Sequence, residues 1–188
     1  TNSGANNVVL RDTDAIVLGA STLGQNLAVT AGGHISQAGA LVVPGTSTFT
    51  IDTAPNQDGL LAGFANNFTG AVTIAATGGG SLRDVGLRNI NAAAAVPVLP
   101  ASLRNLDLQF NGAAVTLPTV NLSGTLNVLA GGAITQAAGG VQVTGTSTFA
   151  AGANAITLAD LGNNFTAAVS VTNSGANNVV LRDTDAIV

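Results

Sequence analysis

The sequence has no Cys, Met, Trp or Tyr, and reading along it finds no Lys and no Glu either. Each absence excludes something. Without Cys no disulfide can staple the chain, so its cohesion must come from packing and backbone ladders. That absence does not fix a compartment, though it suits a protein that crosses a bacterial envelope unfolded. Without Lys and Glu, surface helices lose the residues that give them solubility and helix propensity. All positive side-chain charge comes from five Arg and all negative from nine Asp, for a net charge of −4. That balance argues against nucleic acid as a partner. No apolar run approaches the ~20 residues of a membrane-spanning helix, so no membrane insertion is expected.

What remains is a small alphabet of Ala, Gly, Val, Leu, Thr and Asn. Hydrophobic residues make up 46% of the 188 positions, which sets the chain apart from disordered ones. Val, Thr, Gly and Asn favour strands and tight turns. The first seventeen residues, TNSGANNVVLRDTDAIV (1–17), return without a change at 172–188, a period of 171 residues. The chain therefore reads as a window on a tandem array, with one full unit over 18–188.

A degraded repeat lies inside that unit. AGGHISQAGALVVPGTSTF (31–49) matches AGGAITQAAGGVQVTGTSTF (130–149), and NNFTGAV (66–72) matches NNFTAAV (163–169). AIVLGASTLGQNLAV (15–29) aligns with AVTLPTVNLSGTLNV (114–128). The longer half-unit carries an extra segment over 85–112. Below these lies a step of about 20 residues, each piece holding two or three strand-like runs punctuated by Gly, Asn or Asp. Periods at several scales mark a repeat architecture. The pattern predicts an all-β fold: a parallel β-helix (β-solenoid) with about 20 residues per rung, forming one continuous segment over 1–188. Eight or nine rungs are expected per unit, an advance of roughly 40 Å. Val, Leu, Ile, Ala and Phe should face inward, with Phe49, Phe68, Phe149 and Phe165 stacked inside. Asn66-Asn67 and Asn163-Asn164 should sit at turns, where Asn tolerates left-handed backbone. The run NAAAAV (91–96) precedes Pro97 and Pro100, so a loop or short turn competes with a helix there.

The AGG-x-I-[ST]-Q-A, GTSTF and NNF-T-x-A-V blocks resemble the repeats of filamentous haemagglutinin-like adhesins. These are large bacterial proteins exported by two-partner secretion. The resemblance implies a right-handed β-helical shaft and a place outside the cell or on the bacterial surface. It also implies a role in adhesion, biofilm matrix or filament formation. The family's amino-terminal secretion domain is not within the sequence.

Catalytic machinery is hard to assemble here, and no catalytic, cofactor-binding or metal-ligating residue is assigned. His34, the one histidine, has Ala133 as its counterpart and is expected in a solvated turn. No G-x-S-x-G elbow occurs. Asp12 and Asp14, copied as Asp183 and Asp185, form D-x-D pairs that can share a cation if they lie on a strand. Asp52 and Asp58 flank Asn56 in a polar loop with some calcium-loop character. The competing reading for these acids is a solvated turn, with Arg11 or Arg182 pairing locally. The NFT tripeptides at 67–69 and 164–166 match a glycosylation sequon but suit plain turn chemistry.

The reading carried forward is a structural shaft segment, not an enzyme. Its partners are neighbouring copies of the repeat, then lateral fibre partners or cell-surface glycans. The alternatives are a β-helical polysaccharide-active enzyme using Asp84 or Asp107, and a ligand-binding adhesin whose extra segment 85–112 binds.

Overall fold

A computed structural model describes residues 1–2 and 4–188; Ser3, within the duplicated stretch, lies outside them. Val, Ile, Leu and Thr alternate with small or polar residues along short runs. Such runs bury one pleat face and solvate the other. The strand Leu27–Ala31 shows this, with Leu27, Val29 and Ala31 buried and Ala28 and Thr30 half-exposed. Every strand pair that forms is parallel, and partners lie about 21 residues apart along the chain. The result is a parallel β-solenoid of about eight coils, with no helix among the described residues.

Each coil has three sides. On side 1, Val8–Asp12, Leu27–Ala31, Ser47–Asp52 and Val72–Thr77 stack as a four-stranded sheet. Side 2 is the long sheet, running from Ile16–Leu18 through eight successive strands to Val169–Thr172. Side 3 holds Ser21–Thr22, Leu41–Val43 and the end of Gln57–Phe68, a strand that bends round the corner from side 2. Higher up, Ser102–Leu103, Val120–Leu122, Val141–Val143 and Asn164–Phe165 continue the side that precedes the long sheet. Val115–Leu117, Ile134–Gln136, Ile156–Leu158 and Val179–Leu181 continue the side that follows it.

In-register stacking turns each inward position into a column. One column runs Leu61, Leu87, Leu108, Val128, Phe149 and Val171 along the long sheet. Small aliphatic residues dominate because three walls converge on a narrow interior. Phe49 and Phe68 meet edge-to-face at 5.9 Å, and so do Phe149 and Phe165. All four are buried, as their repeated contexts predicted.

The structure refines these expectations. The coil between Ser47 and its partner Val72 is longer than about 20 residues, so fewer than eight coils fill the 171-residue unit. The run 91–96 is a turn: the Asn91 side chain accepts the Ala93 N–H at 2.9 Å, an Asx turn that stops any helix. The extra segment 85–112 is no appendage. Residues 85–89 finish the strand Leu82–Asn89, and Asn105–Phe110 is the next strand of the long sheet. The segment is therefore about one additional coil, and residues near 90–101 leave the ladder except at Val98, which bridges to Thr73.

The corners have their own chemistry. The Asn26 side-chain oxygen accepts the backbone N–H of Thr46 at 2.8 Å and its hydroxyl at 3.1 Å. Asn105 does the same for Thr125, at 2.8 and 3.0 Å. Gly45 and Gly124 are needed beside them, because a Cβ there would stand 2.2 Å from the same Asn oxygen. Asparagines also stack from coil to coil: Asn26 donates to Asn7 and Asn91 to Asn67, each at 3.0 Å.

Candidate functional site

Four charged residues, Asp58, Arg83, Asp84 and Arg104, converge on the outer face of the long sheet. Register places Asp58 against Asp84, and Asp84 against Asn105. Two carboxylates one coil apart repel each other, and arginines threaded between them resolve this. Arg83 makes a bidentate pair with Asp58, Nε at 2.9 Å and Nη2 at 2.6 Å. Arg104 grips both oxygens of Asp84, with Nε at 2.9 Å. Asn105 adds its backbone N–H at 3.2 Å and side-chain N–H at 3.1 Å to Asp84 Oδ1. Fork-to-fork geometry of this kind is the stronger form of ion pair. Asn56, Ser102, Asn121 and Ser123 line an open groove beside the two arginines.

His34 joins from below. Its Nδ1 accepts the Asp58 N–H at 2.9 Å, which assigns the ring proton to Nε2. The 3.4 Å approach of the same Nδ1 to Asp58 Oδ2 then brings together two acceptors, and it becomes an ion pair only if the ring takes a second proton. His34 is thus half-exposed, as expected of a turn histidine, but it also caps the strand that follows.

The hydrogen bond from Arg104 holds the Asp84 carboxyl below the usual carboxylate range; partial burial opposes this and Asn105 assists it. The bonds to Asp58 and Asp84 raise Arg83 and Arg104 respectively. For a carboxyl depressed by folding, the linked stability is present above its unfolded value of about 4 and is lost as pH falls through the folded value. Asp84→Asn is therefore expected to unfold at lower urea than the parent at pH 7, with the gap narrowing below about pH 4. Urea midpoints at pH 7 and pH 3 measure this, and an unchanged gap would refute the linkage.

A second polar assembly lies inside the coil wall. Asn66 is fully buried. Its side-chain oxygen accepts from Gln37 Nε2 and from the Leu41 N–H, both at 2.9 Å. Its NH2 donates to Gln37 Oε1 at 3.0 Å, to the Leu61 carbonyl at 2.9 Å and to the Arg88 carbonyl at 3.2 Å. Asn163 repeats the pattern with Gln136 (2.7 and 2.8 Å), the Val141 N–H (2.9 Å) and the Leu158 carbonyl (3.0 Å). These asparagines are therefore not left-handed turn residues. Among the described residues, the non-glycine positions with positive φ are Thr53 and Asn56. Two motifs that look independent, the Q of [ST]-Q-A and the first N of NNF, are two halves of one clamp. Their joint recurrence in both half-units was the available signal.

The other acids separate. Val8–Asp12 ends at the first acid of its D-x-D pair, and Asp12 Oδ1 accepts the Asp14 N–H at 3.1 Å. The pair is thus an Asx turn, not two carboxylates on one strand face. Asp183 and Asp185 repeat it at 3.4 Å. Arg11 does not pair locally; it reaches Asp52 at 2.8 Å, two coils along. Asp52 and Asp58 face different partners, so the 52–58 loop does not gather them. Asp107 lies on the long sheet, held by Asn127 at 2.7 Å and Gln109 at 2.9 Å. Among the described residues, no three His, Cys, Asp or Glu side chains group as a metal site. Asn67 of the first NFT is half-buried and accepts from Asn91 at 3.0 Å.

A family model described as repeats of unknown function (DUF5649) matches residues 5–75 and 103–172. The two stretches cover equivalent parts of the internal repeat, the second taking in the last residues of the 85–112 segment. No curated protein and no solved structure matches the chain.

Proposed function

The chain belongs to the DUF5649 repeat family, and from that premise we propose that it is a structural segment of a secreted bacterial filament or adhesin shaft. The observation that carries the reading is the duplicated stretch. The two copies share local features: Asn2 and Asn173 each donate to the carbonyl four residues on, and Gly4 and Gly175 both take positive φ. A stretch that opens one coil system and is built again at the close of the next is what a tandem array requires. Repeat solenoids gain stability from each neighbour interface. Continuous backbone ladders then run along the axis, and the dry columns resist unwinding. The polar interactions found here act along that axis too. Asp58, Arg83, Asp84 and Arg104 tie successive coils together, and so do the Asn–Gln clamps.

In this reading the protein works outside the cell, its nearest partners are further copies of itself, and its role is mechanical. Attachment to a surface or matrix would come from outward side chains, with the 90–101 excursion the most prominent departure from the ladder. Electron microscopy of the native material tests the proposal. Thin fibres with an axial repeat of roughly 37–40 Å are expected; compact particles would overturn it.

A further inference from the structure

Equivalent strands of the two half-units do not lie on the same side of the solenoid. Leu27–Ala31 (LAVTA) and Leu126–Ala130 (LNVLA) are repeat equivalents, yet the first stacks on side 1 and the second on side 2. Ile35–Gln37 lies on side 2, and its equivalent Ile134–Gln136 follows the long sheet, on side 3. The corner asparagines agree. Asn7, which accepts the Asn26 N–H, precedes side 1, whereas its equivalent Asn105, which accepts the Thr125 N–H, precedes side 2. The second half-unit is thus the first one turned by one side.

The duplicated stretch shows that the turning continues. Val8–Asp12 pairs beneath Leu27–Ala31 on side 1. Its copy, Val179–Leu181, pairs on Ile156–Leu158, which is side 3. Identical sequence with the same local hydrogen bonds therefore occupies two different sides. Seven steps along the long sheet, plus one side at either end, separate the two copies. One 171-residue period is thus about seven and two-thirds coils.

We propose that the outer edge of Val179–Leu181 seats the LAVTA strand of a following copy, so that each repeat enters the array rotated by one side of the coil. This rests on the tandem-array reading above. The occupant is a second copy of this repeat, specified by register: Leu27 of that copy on Val179, as Leu27 lies on Val8. Its Asn26 would meet Asn178, as Asn26 meets Asn7 at 3.0 Å. Each repeat then advances about 37 Å at ~4.8 Å per coil and turns by a third of a revolution. After three repeats, roughly 110 Å, the same side returns. Every outward feature, the Arg–Asp ladder included, is displayed in three directions in turn, so the shaft has no single adhesive or charged flank.

The absence of Cys makes a disulfide test clean. Thr157 and Val180 are register partners with outward side chains, and a coil spacing of ~4.8 Å lies within the Cα separation a disulfide accepts. The variant Thr157→Cys/Val180→Cys in the 188-residue chain is expected to close an internal disulfide on mild oxidation. Asn164→Cys/Val180→Cys tests the unrotated alternative, in which the copy would stack on side 1, and it is expected to stay reduced. Thr116→Cys/Thr135→Cys, whose hydroxyls lie 3.0 Å apart, controls for folding and for the chemistry. Closure of the 164–180 pair overturns the rotation. So does failure of the 157–180 pair while the control closes. The single chain reports this whether or not fibres form. If they do form, a three-fold screw along the axis is the matching result, and a filament without it counts against the rotation but not against the shaft.

Discussion

Asn66→Leu is expected to destabilise the chain by about 3–5 kcal/mol, since each buried polar group left without a partner costs about 1–3 kcal/mol. Leucine keeps the branched outline of asparagine but is bulkier and has none of its bonding, so strain in the wall adds to the loss. It would strand the Leu41 N–H, the Leu61 carbonyl and the Gln37 side-chain carbonyl, all of which Asn66 satisfies in the wall of the coil. The loss is not merely local. Gln37, Leu41, Leu61 and Arg88 come from three successive coils, so the clamp sets the register between them. Gln142→Leu, on an exposed position of Val141–Val143, serves as the comparison and should change stability by less than ~0.5 kcal/mol. Urea midpoints of the two variants decide the matter. Equal, small effects would mean that water replaces the clamp.

Phe149→Ala should cost about 3–5 kcal/mol, the usual range for emptying a buried aromatic site. The side chain is fully buried between Val128 and Val171 in its column. It also meets Phe165 across the interior at 5.9 Å with ring planes 80° apart, an arrangement that adds to the burial term. A solenoid wall cannot collapse into the gap, because every strand is tied to the coils on both sides. The residual cavity should therefore remain nearly full size. Thermal and urea unfolding measure the loss. A change below about 1.5 kcal/mol would show that the walls relax.

Much of this architecture is legible in the sequence because its cause is local and repeated. Alternation in LAVTA and STFTI, glycine at the corners and Phe in recurring contexts each report a rule that every coil obeys. The solenoid, its rung length and its buried phenylalanines follow from them. The polar assemblies were harder for a physical reason. Asn66 and Asn163 look like turn residues because Asn usually serves at turns. Here the partner that changes their role, Gln37 or Gln136, lies almost thirty positions earlier. The pairing of Arg11 with Asp52 was hidden in the same way, since Asp12 and Asp14 stand much closer in sequence. The turn of one side between half-units is not visible in any single motif. It arises from the sum of loop lengths, which only the ladder register makes countable.

The extra segment 85–112 has a consequence beyond its place in the wall. Because it adds about one whole coil, every strand after it keeps the side it would otherwise have had. An insertion of half a coil would instead throw all downstream strands onto wrong sides and part inward positions from their columns. A solenoid thus has something like a reading frame, with the coil in the place of the codon. Length changes in whole coils are silent for everything that follows; fractional ones are frameshifts.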